Sequence, residues 1–559
     1  MASSSYDYII VGGGLAGLVL ASRLSKLLPP SDTKQVLVLE AGTDPSTTDY
    51  ILTSQGAHQA WTSPHSYQLP ISPNRHLNGR STTVPVGKAL GGSAAINGGA
   101  WTRGPKSDYD LWAKLVGDES WGYDALVPYL RRVESMALVE GMEKDETQHG
   151  YDGPLKVTPI RSQWPARKYP LRESVQKMWE EVGVKYIPDG NAGDQNGLVE
   201  FVEAWVKSAR QLPNKILDLA KVDIRTGSTV QRVTFAKVEG QGQDQPAANG
   251  VDLVGGEHVV ANKEVIVCTG TYHTPQVLML SGIGDPAELT KHGIETIAAN
   301  PEVGKSLKDH FALGMAWKLK HPEKGLAIGS PLFTDPSYFS GWPMDFIEFG
   351  PLEELSKLEP LVKSQEDRDL VLRPDASHME IVTLYAGMGK GFTGIDTPMD
   401  GSYITTIACY LTPTSKGSVT LQSASIEDPP VIDVNFFDTE ADKVGFRQAL
   451  RKAASVHLET EAGRSFVSHE VPPEGYACIT KDTTDEELDK RIADLGYTFH
   501  HPMGSCAMGK VVDSHCRVIG IRCLRIVDAS VFPVPMACHP QAVVYATAER
   551  AAEWIGRGD

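Results

Sequence analysis

Tyr8-Ile9-Ile10-Val11 is a short run of branched and aromatic residues with no charged position, the pattern of a strand buried on both faces. It runs directly into Gly12-Gly13-Gly14-Leu15-Ala16-Gly17, after which an apolar helical pattern continues through Leu24. A second apolar run, Val36 to Leu39, ends at Glu40. Strand, glycine loop, helix, second strand and terminal acid in this order predict a dinucleotide-binding unit. Each glycine has its own task. Gly12 permits the tight turn, Gly14 lets the backbone approach a pyrophosphate, and Gly17 lets helix and strand pack closely, with the phosphates at the helix N-terminus. The Glu40 carboxylate is placed to accept both hydroxyl protons of an adenosine ribose.

Farther along, the pattern changes several times. Tyr50 to Arg80 is irregular and contains aromatics, which suits a segment lying over a cofactor edge. Gly87 to Gly99 is rich in small residues that let backbone amides come against a flat ligand. Asp108 to Glu134 predicts a helix, Val222 to Val233 alternates like a strand, and Gly240 to Gly250 reads as a polar hairpin tip. Glu264 to Cys268 predicts a buried strand ending at Thr269-Gly270, with a helix beginning at Gln276. From about Phe311 to Gly496, alternating segments such as Tyr403 to Leu411 and Ser418 to Gln422 predict a separate lobe, with the charges of Glu353 to Asp369 on a solvated helix or lid.

Composition narrows the function. The 559 residues, 41% hydrophobic and 22% charged, suit two or more lobes with room to bury a cofactor. A net charge of -17 excludes nucleic-acid binding, which needs concentrated positive charge. No apolar run is long enough to span a bilayer, and the N-terminal stretch lacks a basic region and a cleavage site, so it is expected to be core rather than a signal peptide. The seven cysteines are odd in number and lack metal-binding spacing. Reduced thiols, no metal and a cytoplasmic location are the expectation. Cys506 and Cys538, near two histidines, read as packing residues.

Those histidines lie near the C-terminus. His501 opens His-Pro-Met-Gly-Ser-Cys, the strand-like Leu524 to Ser530 follows, and His539 sits between Cys538 and Pro540. An imidazole titrates near neutral pH, so it suits proton abstraction beside a redox cofactor.

Five motifs in order now resemble the glucose-methanol-choline (GMC) flavoprotein oxidoreductases over nearly the whole chain. They are Gly12 to Gly17 with Glu40; Gly87 to Gly99; Gly270 to Gly284; Asn300 to His310; and His501 to Ser505 with Asp528-Ala529-Ser530 and His539. The resemblance implies FAD and a fold of the α/β and α+β class, a Rossmann-like FAD lobe beside a mixed-sheet substrate lobe. It divides the chain into a discontinuous FAD domain (1–50, 76–150, 218–310, 500–559), a lid-like segment (51–75) and a substrate domain (151–217, 311–499). Gly12, Gly14, Leu15, Ala16, Gly17 and Glu40 would hold the ADP half, and Val230 would meet the adenine through its backbone. Ser93, Asn97, Gly98 and Gly99 would lie along the flavin. Asp528 and Ala529 would lie near the ribityl and pyrophosphate, with Gln541 and Ala542 also on the cofactor. Members with covalent flavin often carry histidine where this chain has Ile96, so the FAD is expected to be non-covalent.

The same resemblance makes His501 the base and His539 its partner on the substrate hydroxyl; His273 and His310 are assigned to structure. His500 is adjacent, but the motif register selects His501 and points the neighbour elsewhere. Sugar-oxidising relatives carry Arg and Asn where this chain has Tyr497 and Phe499, which predicts an aromatic or apolar alcohol substrate. His539-Pro540-Gln541 resembles aryl-alcohol oxidases and fungal natural-product tailoring members, and implies an intracellular biosynthetic step. Oxygen or another carrier is left open as the electron acceptor. A lyase or cyclase using FAD without net redox change is the alternative, and a non-catalytic flavin-binding protein a third.

Overall fold

The structure is a computed structural model describing residues 5–31, 34–162, 167–236 and 245–559. Two sheets organise it. The first runs in the order Val222–Arg225, Val36–Leu39, Ser5–Val11, His258–Val267, Ala248–Leu253, Val230–Phe235, with Leu524–Ile526 also paired to His258–Val267. Val36–Leu39 and the last four residues of Ser5–Val11 are fully buried, as their unbroken apolar runs require of parallel strands covered on both faces. Helices Leu15–Leu27 and Gln541–Arg557 pack against each other over this sheet. His258–Val267 pairs with Ser5–Val11 along one edge and shares its other edge between two strands: its first residues pair antiparallel with Ala248–Leu253, and its last three pair parallel with Leu524–Ile526.

The second sheet runs Val467–Glu470, Phe311–Leu319, Tyr403–Tyr410, Met379–Leu384, Phe346–Gly350, Gly197–Glu200, Tyr186–Ile187, with Tyr497–Thr498 also paired to Phe311–Leu319. Its pairs are antiparallel except the last, Tyr186–Ile187 with Gly197–Glu200. The mixed α/β class is as the sequence implies. Every strand of the first sheet comes from 5–39, 222–267 or 524–526, and every strand of the second from 186–200 or 311–498.

Several predicted elements differ. Val222 to Val233 is two strands, because Gly227 takes a positive φ of 65° and the turn bonds across to the first sheet: Gly227 and Ser228 N–H groups donate to the Gly42 and Glu40 carbonyls. The two pieces lie at opposite edges of the sheet, so the chain between them passes across its end. Asp108 to Glu134 is two helices, Lys106–Val116 and Tyr123–Val133, separated where Gly117 turns left-handed. The helix expected from Gln276 begins at Gly270 with Pro275 inside it. Proline removes one backbone donor; the Thr271 carbonyl four residues back accepts the Ser505 hydroxyl instead. The acidic segment holds a short turn, Leu355–Lys357, and a helix, Gln365–Val371. Of the hairpin tip read at 240–250, residues 240–244 lie outside the described residues.

Among the described residues no helix is long and apolar enough to cross a membrane. All seven cysteines are unpaired.

Candidate active site

A cavity of about 440 Å³ lies where the ends of the first sheet meet the second, with the glycine loop at one end and the histidines at the other. At the loop, Gly12 has φ +104°, and a Cβ on it would lie 2.5 Å from the Cys268 carbonyl oxygen. Gly17 stands behind the loop, off the cavity wall; a Cβ there would meet the Gly12 oxygen at 2.1 Å. Gly14 is different. It lines the cavity, and its nearest obstacle would be Gly92 Cα at 3.7 Å, so the space in front of it is open. The helix Leu15–Leu27 begins here with no side-chain cap and no acid in its first turn. Its amide donors, with Leu15 and Ala16 on the wall, are left for an anionic ligand.

Glu40 closes this end. Its two oxygens accept the Gly13 and Gly42 N–H groups at 2.8 and 2.7 Å, yet burial pushes its pKa up to about 7. Val230 lines the wall beside it, at the end of the chain crossing described above. An uncapped helix N-terminus, an open Gly14 and a buried acid together fit the pyrophosphate and ribose of a dinucleotide.

The middle of the cavity is formed by Ser93, Asn97, Gly98 and Gly99. This loop is held by side chains distant in sequence. Asn97 Nδ2 donates to Gln541 Oε1 at 2.7 Å, and Asn97 Oδ1 accepts from Arg210 at 2.8 Å. Trp205 and Trp342 Nε1 both donate to the Gly98 carbonyl, at 2.8 and 2.9 Å, and Trp61 Nε1 donates to that of Ile96 at 2.8 Å. Asp528 is held by three hydrogen bonds from the protein: it accepts from Gly270 N–H at 2.9 Å, the Thr274 hydroxyl at 2.6 Å and Ser530 N–H at 2.8 Å. It thus ties the Gly270–Leu280 helix to the C-terminal strand, and it lines the cavity together with Ala529 and Gln541. Ala542 is fully buried and does not line it.

At the far end, Tyr497–Thr498 pairs with Phe311–Ala312, which brings His501 beside His310. Asp309 fixes the turn, accepting the His501 N–H at 2.9 Å on one oxygen and the Thr498 hydroxyl on the other. The His501 and His539 rings meet with centroids 4.7 Å apart at 72°. His501 Nδ1 lies 3.0 Å from His310 Nδ1, and His539 Nε2 lies 3.0 Å from Glu380 Oε1. Burial holds His501 well below the ordinary histidine pKa, so at neutral pH it has a lone pair to offer. Phe499 packs against both rings, at 5.1 and 5.6 Å, and Tyr497 meets Phe392 edge-on at 5.7 Å.

Two expectations change here. His500 does not turn out of the site: its positive φ of 63° breaks strand alternation, so it lines the cavity too, 5.8 Å from the Trp61 ring. His310, assigned to structure, contacts His501 directly. Sequence reasoning missed Glu380, for which the available signal was a lone acid inside the buried strand Met379–Leu384. It also missed Arg210 and Trp342. Burial pushes the Cys538 thiol far up and Cys506 likewise, so neither is a thiolate.

Two family models, both described as GMC oxidoreductase, match residues 6–312 and 413–548. GMC-type oxidoreductase acuG of Aspergillus aculeatus is 37% identical over 99% of this chain and 99% of its own. A Pseudomonas putida alcohol dehydrogenase (acceptor) is 31% identical over 99% of this chain and 96% of its own. The structure of an Aspergillus oryzae RIB40 formate oxidase variant superposes with a TM-score of 0.87 at 27% identity, covering 100% of this chain and 99% of that one. This chain therefore belongs to the GMC oxidoreductase family, FAD-binding enzymes that act on CH–OH groups.

Proposed function

We propose that this enzyme oxidises an uncharged aromatic or apolar alcohol to a carbonyl compound, with His501 accepting the hydroxyl proton and His539 hydrogen-bonding the same oxygen. The observation that carries this reading is the pair of imidazoles 4.7 Å apart at the end of the cavity that begins at the glycine loop. FAD, when bound, supplies the hydride acceptor. His501 Nε2 has no protein hydrogen-bond partner among the described residues and takes the proton. His539, anchored by Glu380, holds the substrate oxygen against it. Gly14 and the first turn of Leu15–Leu27 would receive the pyrophosphate, Glu40 the ribose, and the Asn97–Gly99 loop the ring system. In this reading the FAD domain, lid-like segment and substrate domain divide as the sequence implies, with Trp61 and Tyr67 of the 51–75 segment on the cavity wall.

The substrate class follows from the walls. Trp61, Trp342, Phe392, Tyr497 and Phe499 surround the histidine end, and among the described residues no lysine or arginine lines the cavity. A carboxylate would enter without a counter-charge, which is costly in a partly dry site. A natural-product intermediate in a reducing compartment suits both the aromatic walls and the seven unpaired thiols.

Anaerobic mixing with benzylic, aliphatic, polyketide-like and choline alcohols and with formate tests this reading. Flavin bleaching is expected with benzylic or polyketide-like alcohols. Bleaching by formate alone would overturn the substrate class, and product formed while the flavin stays oxidised would replace oxidation by lyase or cyclase chemistry. Repeating the winning arm with oxygen identifies the acceptor.

Ile96 also makes the attachment testable. Its side chain, buried in the wall, offers no nucleophile to the flavin. Acid precipitation is expected to leave a white pellet and a yellow supernatant; a yellow pellet would mean a covalent bond.

A further inference from the structure

The His310 and His501 rings meet nitrogen to nitrogen, Nδ1 to Nδ1 at 3.0 Å with planes at 84°. A hydrogen bond between two imidazoles needs one N–H and one lone pair, so two neutral rings have just two ways to make it. If His310 donates, His501 carries its own proton on Nε2 and presents a donor to the cavity; it cannot take a proton from an alcohol. If His501 donates, its Nε2 is bare and basic. The two arrangements have opposite chemical consequences, and His501 alone does not choose between them.

His310 does. It is fully buried, and burial, with the nearby His539, pushes its pKa down to about 3, so it stays neutral throughout the working range. Its Nε2 is enclosed with no hydrogen-bond partner among the described residues. A neutral His310 can accept at Nδ1, as an imidazolium could not, and it does so when its own proton sits on Nε2. With its proton on Nε2, His310 has only a lone pair to offer at Nδ1. The groups facing His501 are His310, His500 and His539, with Asp309 on its backbone N–H; among the described residues no carboxylate bonds its ring.

We propose that His310 is a positioning residue that fixes the tautomer of His501, accepting its Nδ1–H so that Nε2 faces the cavity unprotonated. When Nε2 takes the substrate proton, the same Nδ1–H becomes a charge-assisted donor to His310, steadying the imidazolium without a second ionised group. The inference rests on His501 being the base.

The test compares His310→Leu, which removes the acceptor, with His310→Gln, which keeps one, using FAD-loaded enzyme. Anaerobic flavin reduction is followed across pH, alongside His501→Ala. His310→Leu is expected to slow reduction about 100-fold, near the lower end of general-base contributions, and to replace a flat pH profile by a rate rising with pH. His310→Gln is expected to recover to within about tenfold of the parent with the flat profile restored. ¹⁵N-histidine spectra of the parent should show a protonated δ1 and a bare ε2 nitrogen that vanish together in His501→Ala. Equal slowing in both His310 variants with unchanged pH profiles would reduce His310 to packing, and a protonated ε2 nitrogen would overturn the tautomer. Full reduction rates in His501→Ala would instead remove the base assignment itself.

Discussion

His501→Ala lowers the rate of flavin reduction by substrate by at least about two orders of magnitude, the usual scale for losing a positioned general base. The loss falls on reduction rather than on cofactor binding, because the ring touches His310, His539 and Phe499 and none of the groups at the glycine loop. The pH dependence has a definite sign. Burial and the neighbouring histidines disfavour the imidazolium, so the base form persists below the ordinary histidine pKa of about 6.5. The parent enzyme's reduction rate should therefore stay flat through neutrality and fall only in acid well below that value. The same shift works against the fold in acid: a ring that is neutral when folded binds a proton more readily when unfolded, so its contribution is full above about pH 6.5 and declines below it. Stopped-flow reduction between pH 5 and 9 measures the first effect. Parent-like reduction in His501→Ala would move proton abstraction to another group.

Local features were legible in the sequence, and features made by distant pairing were not. The glycine loop, its flanking strand and helix, and Glu40 lie within thirty-odd residues of one another, so spacing alone carries their geometry. The nearness of His501 to His539 followed only from a resemblance, since no local pattern relates them. Their partners escaped for a physical reason. His310 reaches His501 through the pairing of Phe311–Ala312 with Tyr497–Thr498, and Glu380 reaches His539 from a strand of the second sheet. Register between strands nearly two hundred residues apart is set by packing that one strand's alternation does not encode. The split of Val222 to Val233 escaped similarly, because the bonds that hold the turn go to Gly42 and Glu40.

Gly17→Val and Gly14→Ala separate the two tasks of one loop. At Gly17 the added Cβ would stand 2.1 Å from the Gly12 oxygen and 3.2 Å from Ile10 Cγ2, and the first of these is backbone that cannot swing away. Either Leu15–Leu27 lifts from the central strand or the turn at Gly12 opens, and Gly12 is itself confined by the Cys268 carbonyl. Overpacking of this kind costs about 1–3 kcal/mol or more, so the apo-protein should melt several degrees lower and retain little FAD. Gly14 has ordinary negative φ and nothing within 3.7 Å, so a methyl group fits the cofactor-free protein. It projects from a residue on the cavity wall, where a pyrophosphate would need close approach to backbone. Gly14→Ala should keep the melting temperature of the apo-protein and lose FAD affinity, seen as a lower 450 nm to 280 nm absorbance ratio that excess FAD partly restores. If Gly14→Ala kept its flavin while melting like Gly17→Val, the open space before Gly14 would not be where the phosphates sit.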